Sequence, residues 1–131
     1  MIFDTASMGL TGHIPPEIGG LSTLLHLNIE KNNLTQSLPS TIGKMKSLEV
    51  MNGSWNKFTG SIPTEIGFLT MLHTLSLNHN SITGNIPSEL GFMSNLQELS
   101  LSHNRLKGTL PLEMGNLIRL SKFNSLSHFF L

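Results

Sequence analysis

Hydrophobic and polar positions alternate along the chain in short segments that recur at a fixed distance. In the segment 73–78, HTLSLN, the apolar residues Leu75 and Leu77 alternate with polar ones. Alternation with a period of two is typical of a strand that buries one face. Because the pattern returns every 24 residues, it predicts a series of short strands that share one core.

Proline, glycine and asparagine repeat with the same period of 24 residues, and no insertion or deletion interrupts it. The prolines are Pro15, Pro39, Pro63, Pro87 and Pro111, and the glycines are Gly19, Gly43, Gly67, Gly91 and Gly115. Since one such unit cannot bury its apolar face alone, stacked units are expected to form a parallel sheet over a continuous core. Each fully buried side chain then contributes about 1.5–3 kcal/mol.

The asparagines of this period belong to the inward-facing set although they are polar. They are Asn32, Asn56, Asn80 and Asn104. A buried amide needs hydrogen-bond partners, and the backbone of neighbouring turns is the natural source. We therefore predict a structural asparagine ladder, which Met8 and His128 interrupt at either end.

The segment IPxEIG in the second half of each unit predicts a short helical turn. Proline suits the first position of such a turn, and acidic side chains complement its amino-terminal end. The acidic column consists of Glu17, Glu65, Glu89 and Glu113 and is interpreted as structural. The glycine that follows is expected to end the turn in the left-handed conformation.

A complete unit, residues 69–92, reads LTMLHTLSLNHNSITGNIPSELGF and fits LxxLxxLxLxxNxLxGxIPxxLGx. This motif resembles the plant-type leucine-rich repeat (LRR) proteins, which include the ectodomains of LRR receptor-like proteins and receptor kinases and the polygalacturonase inhibitors. The resemblance implies an α/β fold, a right-handed curved LRR solenoid. Its parallel β-sheet would line the concave face, and short helical or 3-10 turns the convex side.

The period also predicts the domain organisation. Residues 1–131 are expected to form a single solenoid segment, with four full repeats over about residues 21–116 and partial repeats at both ends. Because the pattern is incomplete at both ends, we interpret the chain as a fragment of a longer protein.

Composition narrows the classes of function. The chain has 131 residues, eight basic and eight acidic residues, and no cysteine, which excludes disulfides and thiolate chemistry. A neutral chain without a basic cluster argues against nucleic acid as a partner. No apolar stretch approaches the roughly 20 residues needed to span a bilayer, so this segment is not expected to insert into a membrane.

Side chains that point away from the core should form columns across adjacent strands, with neighbours roughly 4.8 Å apart. The column before the ladder contains Trp55, His79 and His103, an amphipathic strip of the kind that anchors peptides or proteins. The further candidates for ligand binding on the concave face are Lys31, Asn28, Asn52, Ser76 and Ser100.

Trp55 has a second interpretation. Gly53 stands where other units have leucine or isoleucine, and its missing side chain leaves a gap in the strand. Trp55 would then cover this gap instead of binding a ligand.

Catalysis and metal binding are not expected. His79 and His103 lack the third ligand that transition-metal sites require. The chain has no GxSxG motif and no acid placed to orient a base. We therefore predict no enzymatic activity, no metal and no cofactor.

Two further features concern the surface. The sequon Asn33-Leu34-Thr35 predicts a glycosylation site, whereas a glycan on the sequon at Asn52 would block the concave face. Phe68 and Phe92 are neighbours in one column and indicate either a lateral apolar patch or an extension of the core.

Two hypotheses for function remain. The first is a non-catalytic recognition module that binds a peptide or protein ligand, as part of a receptor-like or secreted protein at the cell surface; it includes an ectodomain fragment of an LRR receptor kinase. The second is an intracellular scaffold of the same fold.

Overall fold

The computed structural model describes residues 1–125 and consists of coils stacked side by side. Six strands of three residues, here called the inner strands, form one parallel sheet in chain order. They are Ile2–Asp4, His26–Asn28, Val50–Asn52, Thr74–Ser76, Glu98–Ser100 and Lys122–Asn124. Val50 pairs with Thr74, and Thr74 pairs with Glu98, so equivalent positions of successive units lie next to one another. The predicted parallel pairing is therefore confirmed.

The chain returns along the convex side through five 3-10 helices, here called the outer turns. They are Pro16–Gly20, Ser40–Lys44, Thr64–Phe68, Ser88–Phe92 and Leu112–Asn116. Each begins directly after its column proline, so the prediction that this proline occupies the first helical position is wrong by one residue. Pro39 has an extended backbone, with φ −71° and ψ 143°, and its carbonyl accepts the hydrogen bond that closes the turn.

The column glycines lie inside the outer turns, and the prediction that they end them in the left-handed conformation is wrong. A Cβ atom built on Gly43 would lie 2.5 Å from the backbone oxygen of Glu65 in the next turn. Gly67 and Gly91 are crowded by their neighbouring turns in the same way. Glycine is required here because adjacent turns pack backbone against backbone.

A second row of short strands follows the ladder position in each coil. These lateral strands are Thr11–Gly12, Asn33–Gln36, Lys57–Phe58, Thr83–Gly84 and Arg105–Leu106. They form parallel groups of three and two strands. These strands were not predicted from the sequence: only the longest, NLTQ, is long enough to show alternation, and the others have two residues each.

The core runs without interruption between the inner strands and the outer turns. Leu75 and Leu77 are fully buried, and so are Leu72 and Ile66 of the same coil. Apolar residues from successive coils form one cluster from Ile14 to Leu117. Each coil therefore depends on its neighbours to cover its apolar faces.

Each ladder asparagine joins two coils through backbone groups. The side-chain oxygen of Asn80 accepts the N–H of Phe58 at 3.0 Å, and its amide nitrogen donates to the carbonyl of Gly53 at 3.1 Å. The same pattern is present at Asn32, Asn56 and Asn104. Met8, one period before Asn32, is exposed, and His128 lies outside the described residues.

Candidate ligand-binding site

One residue before each ladder asparagine, the backbone adopts the left-handed conformation. The φ angles are 54–58° at Ser7, Lys31, Trp55, His79 and His103. The N–H groups of the first four donate to carbonyls of the next coil, as in the 2.9 Å bond from Trp55 to Asn78. Because the backbone repeats so closely, the side chains of this column leave each coil in the same direction.

Three of these side chains form a continuous stack, which we call the ring ledge (Trp55, His79 and His103). The ring centroids of Trp55 and His79 are 3.6 Å apart, and those of His79 and His103 are 4.0 Å apart. Both pairs are inclined by only 11°. The ring ledge is a flat aromatic surface that crosses three coils at the edge of the inner sheet.

Trp55 does not fill the gap left by Gly53. The atoms nearest to the position of a Cβ on Gly53 belong to Leu77, at 3.2 Å, and Phe58, at 3.3 Å. Phe58 is fully buried and replaces the smaller leucine or isoleucine of the other coils, whereas Trp55 is 49% exposed. The packing interpretation of Trp55 is therefore wrong, because the larger ring of Phe58 occupies this space.

In the coils that contain Lys31 and Asn52, the candidate face carries a network of polar side chains. The carboxylate of Glu30 accepts a hydrogen bond from the amide of Asn52 at 2.9 Å and lies 3.4 Å from the ammonium of Lys31. Asn28 and Asn52 also accept the N–H groups of the residues two positions further on. Lys31 thus turns to Glu30 instead of extending the ring ledge. Glu30 was not among the candidates, since only the pairing of adjacent coils brings it to Asn52.

The remaining candidates lie on the sheet beside the ring ledge. Ser76 and Ser100 are adjacent, half-buried and paired in register. Between them and the rings runs a column in which the hydroxyl of Ser54 donates to the side-chain oxygen of Asn78 at 2.7 Å. A neutral polar floor with a flat aromatic edge is therefore the dominant feature of this face.

The histidine in the middle of the ring ledge has a perturbed acidity. Partial burial between two rings lowers the pKa of His79, and the facing His103 lowers it further, since a charge on one imidazole opposes a charge on the other. The neutral form of His79 is favoured accordingly.

Other surface features lie apart from this face. Phe68 and Phe92 are 52% and 58% exposed, so the interpretation as an extension of the core is wrong. The ammonium of Lys46 lies 4.8 Å from the ring centroid of Phe68. Over residues 1–125, no three histidine, cysteine or acidic side chains are grouped so that they could hold a metal ion.

The family model described as "Leucine-rich repeat region" matches residues 6–129, nearly the entire chain. The chain belongs to the leucine-rich repeat family. The stacked coils, the parallel sheet on the concave face and the 3-10 turns on the convex side are the LRR solenoid that the sequence predicted. A search of curated proteins found no match.

Solved structures similar to this LRR chain include the ectodomains of plant receptor kinases, as the sequence predicted. The LRR ectodomain of GASSHO1/SCHENGEN3 from Arabidopsis thaliana, in complex with CASPARIAN STRIP INTEGRITY FACTOR 2, is 36% identical with a TM-score of 0.93. The match covers 98% of this chain and 15% of that one.

Two receptors in complex with peptide hormones are also similar. The plant receptor RGFR1 with RGF2 is 32% identical, with a TM-score of 0.94, over 96% of this chain and 20% of its own. Arabidopsis HAESA, with the peptide hormone IDA and the co-receptor SERK1, is 38% identical, with a TM-score of 0.88, over 91% and 20%. This LRR chain thus spans a fifth or less of the length of these three ectodomains. Within residues 1–125 it contains no helix that is long and apolar enough to cross a membrane.

Proposed function

We propose that this LRR chain is a non-catalytic recognition module that binds a peptide or protein ligand on its concave face. The observation that carries the proposal is the ring ledge: Trp55 is half exposed, stacks on His79 and is not needed to fill the core. Rigid aromatic side chains supply large contact areas at low entropic cost and dominate interface hot spots.

The neighbouring polar residues suit an extended ligand. Ser76 and Ser100 repeat at the spacing of adjacent strands, and the amide nitrogen of Asn28 lies in the same column. These groups can form hydrogen bonds with a peptide that crosses the coils while one of its side chains packs on the ring ledge. Asn52 contributes less, because both ends of its amide are engaged by Glu30 and Ser54.

The module would act within a longer receptor-like or secreted protein outside the cell. The similar ectodomains come from plant membrane receptors, and three of those complexes contain a named ligand. The sequon at Asn33 is compatible with secretion, since Asn33 is exposed and lies on a lateral strand. An ectodomain segment of a receptor kinase is one form of this proposal.

A peptide library displayed on phage and selected on the purified chain tests the proposal. Selected peptides should bind Trp55→Ala at least about tenfold more weakly than the wild type, as expected for a hot-spot residue. Met71→Ala is the matched control, because Met71 is 46% exposed and lies in the turn before the inner strand Thr74–Ser76, outside the ring ledge. Equal affinity for Trp55→Ala, or failure to select any peptide, would contradict the proposal and favour a scaffold without its own ligand.

A further inference from the structure

The two histidines of the ring ledge face each other with little room for a second positive charge. Their centroids are 4.0 Å apart, and the left-handed backbone at both residues holds them in register. The N–H of His79 donates to the carbonyl of Ser102 in the next coil at 3.0 Å, which maintains this spacing. Two imidazolium ions at such a distance would repel each other, so positive charge on His103 opposes protonation of His79.

No acidic side chain is placed to offset a positive charge on His79 or His103 within the described residues 1–125. Among residues 1–125, neither His79 nor His103 forms an ion pair. The adjacent columns of the inner sheet contribute neutral Ser54, Asn78 and Ser102. On the lateral strands that follow the rings, the exposed charged residues are Lys57 and Arg105, both positive. In the rings' own column, Lys31 precedes Trp55, and its partner Glu30 also binds Asn52.

We propose that the ring ledge is a proton-sensitive element: it is a continuous surface while its stacked imidazoles carry no charge, and acidification, which places positive charge on the facing rings, separates His79 from His103. Ligand affinity at the concave face would then depend on pH. This last consequence rests on the proposed function, whereas the response to protons itself requires no ligand.

The direction of the stability change follows from linkage. Because the folded chain holds the pKa of His79 below its unfolded value, the unfolded chain binds more protons as the pH falls. The stabilising contribution of neutral His79 is fully present above a pH of about 6.5, the ordinary histidine pKa, and is lost below it.

The fluorescence of Trp55, the only tryptophan, reports this titration directly in the ligand-free chain. An imidazolium quenches a stacked indole more strongly than a neutral imidazole, so emission should fall between pH 8 and pH 4.5, with a midpoint below about 6.5. In His103→Gln, where the facing charge is removed, the midpoint should rise. In His79→Gln the transition should be lost.

His73→Gln is the matched control, since His73 lies outside the ring ledge and should leave the midpoint unchanged. Far-ultraviolet circular dichroism recorded at each pH separates titration from unfolding. An unchanged midpoint in His103→Gln, a transition that persists in His79→Gln, or a change in emission that coincides with unfolding would overturn the inference. Because no peptide is used, these results are independent of the library experiment.

Discussion

The lateral side of the coils and the edge that bears the ring ledge both contain a left-handed backbone column, but with different residues. At or just after the lateral strands, a left-handed column contains Gly12, Gln36, Gly60, Gly84 and Gly108, so glycine occupies all but one position. Before the ladder, the equally left-handed column contains Ser7, Lys31, Trp55, His79 and His103. Glycine adopts this conformation freely, whereas other residues incur a cost of about 1–2 kcal/mol.

The difference indicates what each column does. Glycine on the lateral side adopts the left-handed conformation without strain, and no side chain is needed there. The column of the ring ledge keeps large side chains despite their backbone strain, and such strain is typical of functional surfaces. Three predictions compare positions that require glycine with positions that keep a side chain, beginning with the largest expected effect.

Gly43→Ala, in an outer turn, should be strongly destabilising. Its Cβ would lie 2.5 Å from the backbone oxygen of Glu65, so the stacked turns must separate. We expect a loss of about 3 kcal/mol, or roughly 10 °C in melting temperature, measured by calorimetry or urea unfolding. Gly115→Ala is the matched control: Gly115 has the same place in its turn, but within residues 1–125 no atom of a neighbouring turn lies within 4 Å of its Cβ position. It should change stability by less than about 0.5 kcal/mol. Equal effects of the two changes would refute close packing as the reason for glycine.

Gln36→Gly should stabilise the chain. Gln36 has φ 65° at a position where the neighbouring coils have glycine, and its side chain is exposed. Removal of this strain should add about 1 kcal/mol to the free energy of unfolding. Gln97→Gly is the control, since Gln97 is also exposed but has no positive φ, and it should lose about 0.5–1 kcal/mol. A lower melting temperature for Gln36→Gly would contradict the expectation.

Lys31→Gly and Trp55→Gly should reveal the smallest effects. Both remove strain at nearly identical φ angles, 54° and 55°. Lys31→Gly loses only an exposed ion pair and should gain about 0.5 kcal/mol. Trp55→Gly also loses its stack on His79, worth about 0.5–1.5 kcal/mol, and should therefore be close to neutral. The difference between the two unfolding free energies measures the stacking of the ring ledge, and equal gains would mean that stacking contributes nothing.

Much of the architecture could be predicted from the sequence because the repeat is regular. The period of 24 residues predicted the strand register that pairs Val50 with Thr74, and the polar member of an apolar set predicted which asparagines need backbone partners. The lateral strands were missed because two-residue pairings carry almost no periodic signal of their own. The conformation of Gly43 was misjudged because glycine serves both left-handed turns and close packing, and a single sequence does not distinguish them.

The sequence by itself determined the solenoid. Units of fixed length that each carry an apolar face bury these faces by stacking on one another in chain order. Only the tertiary structure decided that Phe58, and not Trp55, fills the space at Gly53. Both rings lie within five residues of Gly53, and this short separation along the chain does not reveal which of them packs against it. The tertiary structure also decided that Trp55, His79 and His103 stack at 3.6 and 4.0 Å. That contact depends on a left-handed backbone angle repeated in adjacent coils, and such an angle is set by hydrogen bonds between coils and not by the residues that adopt it.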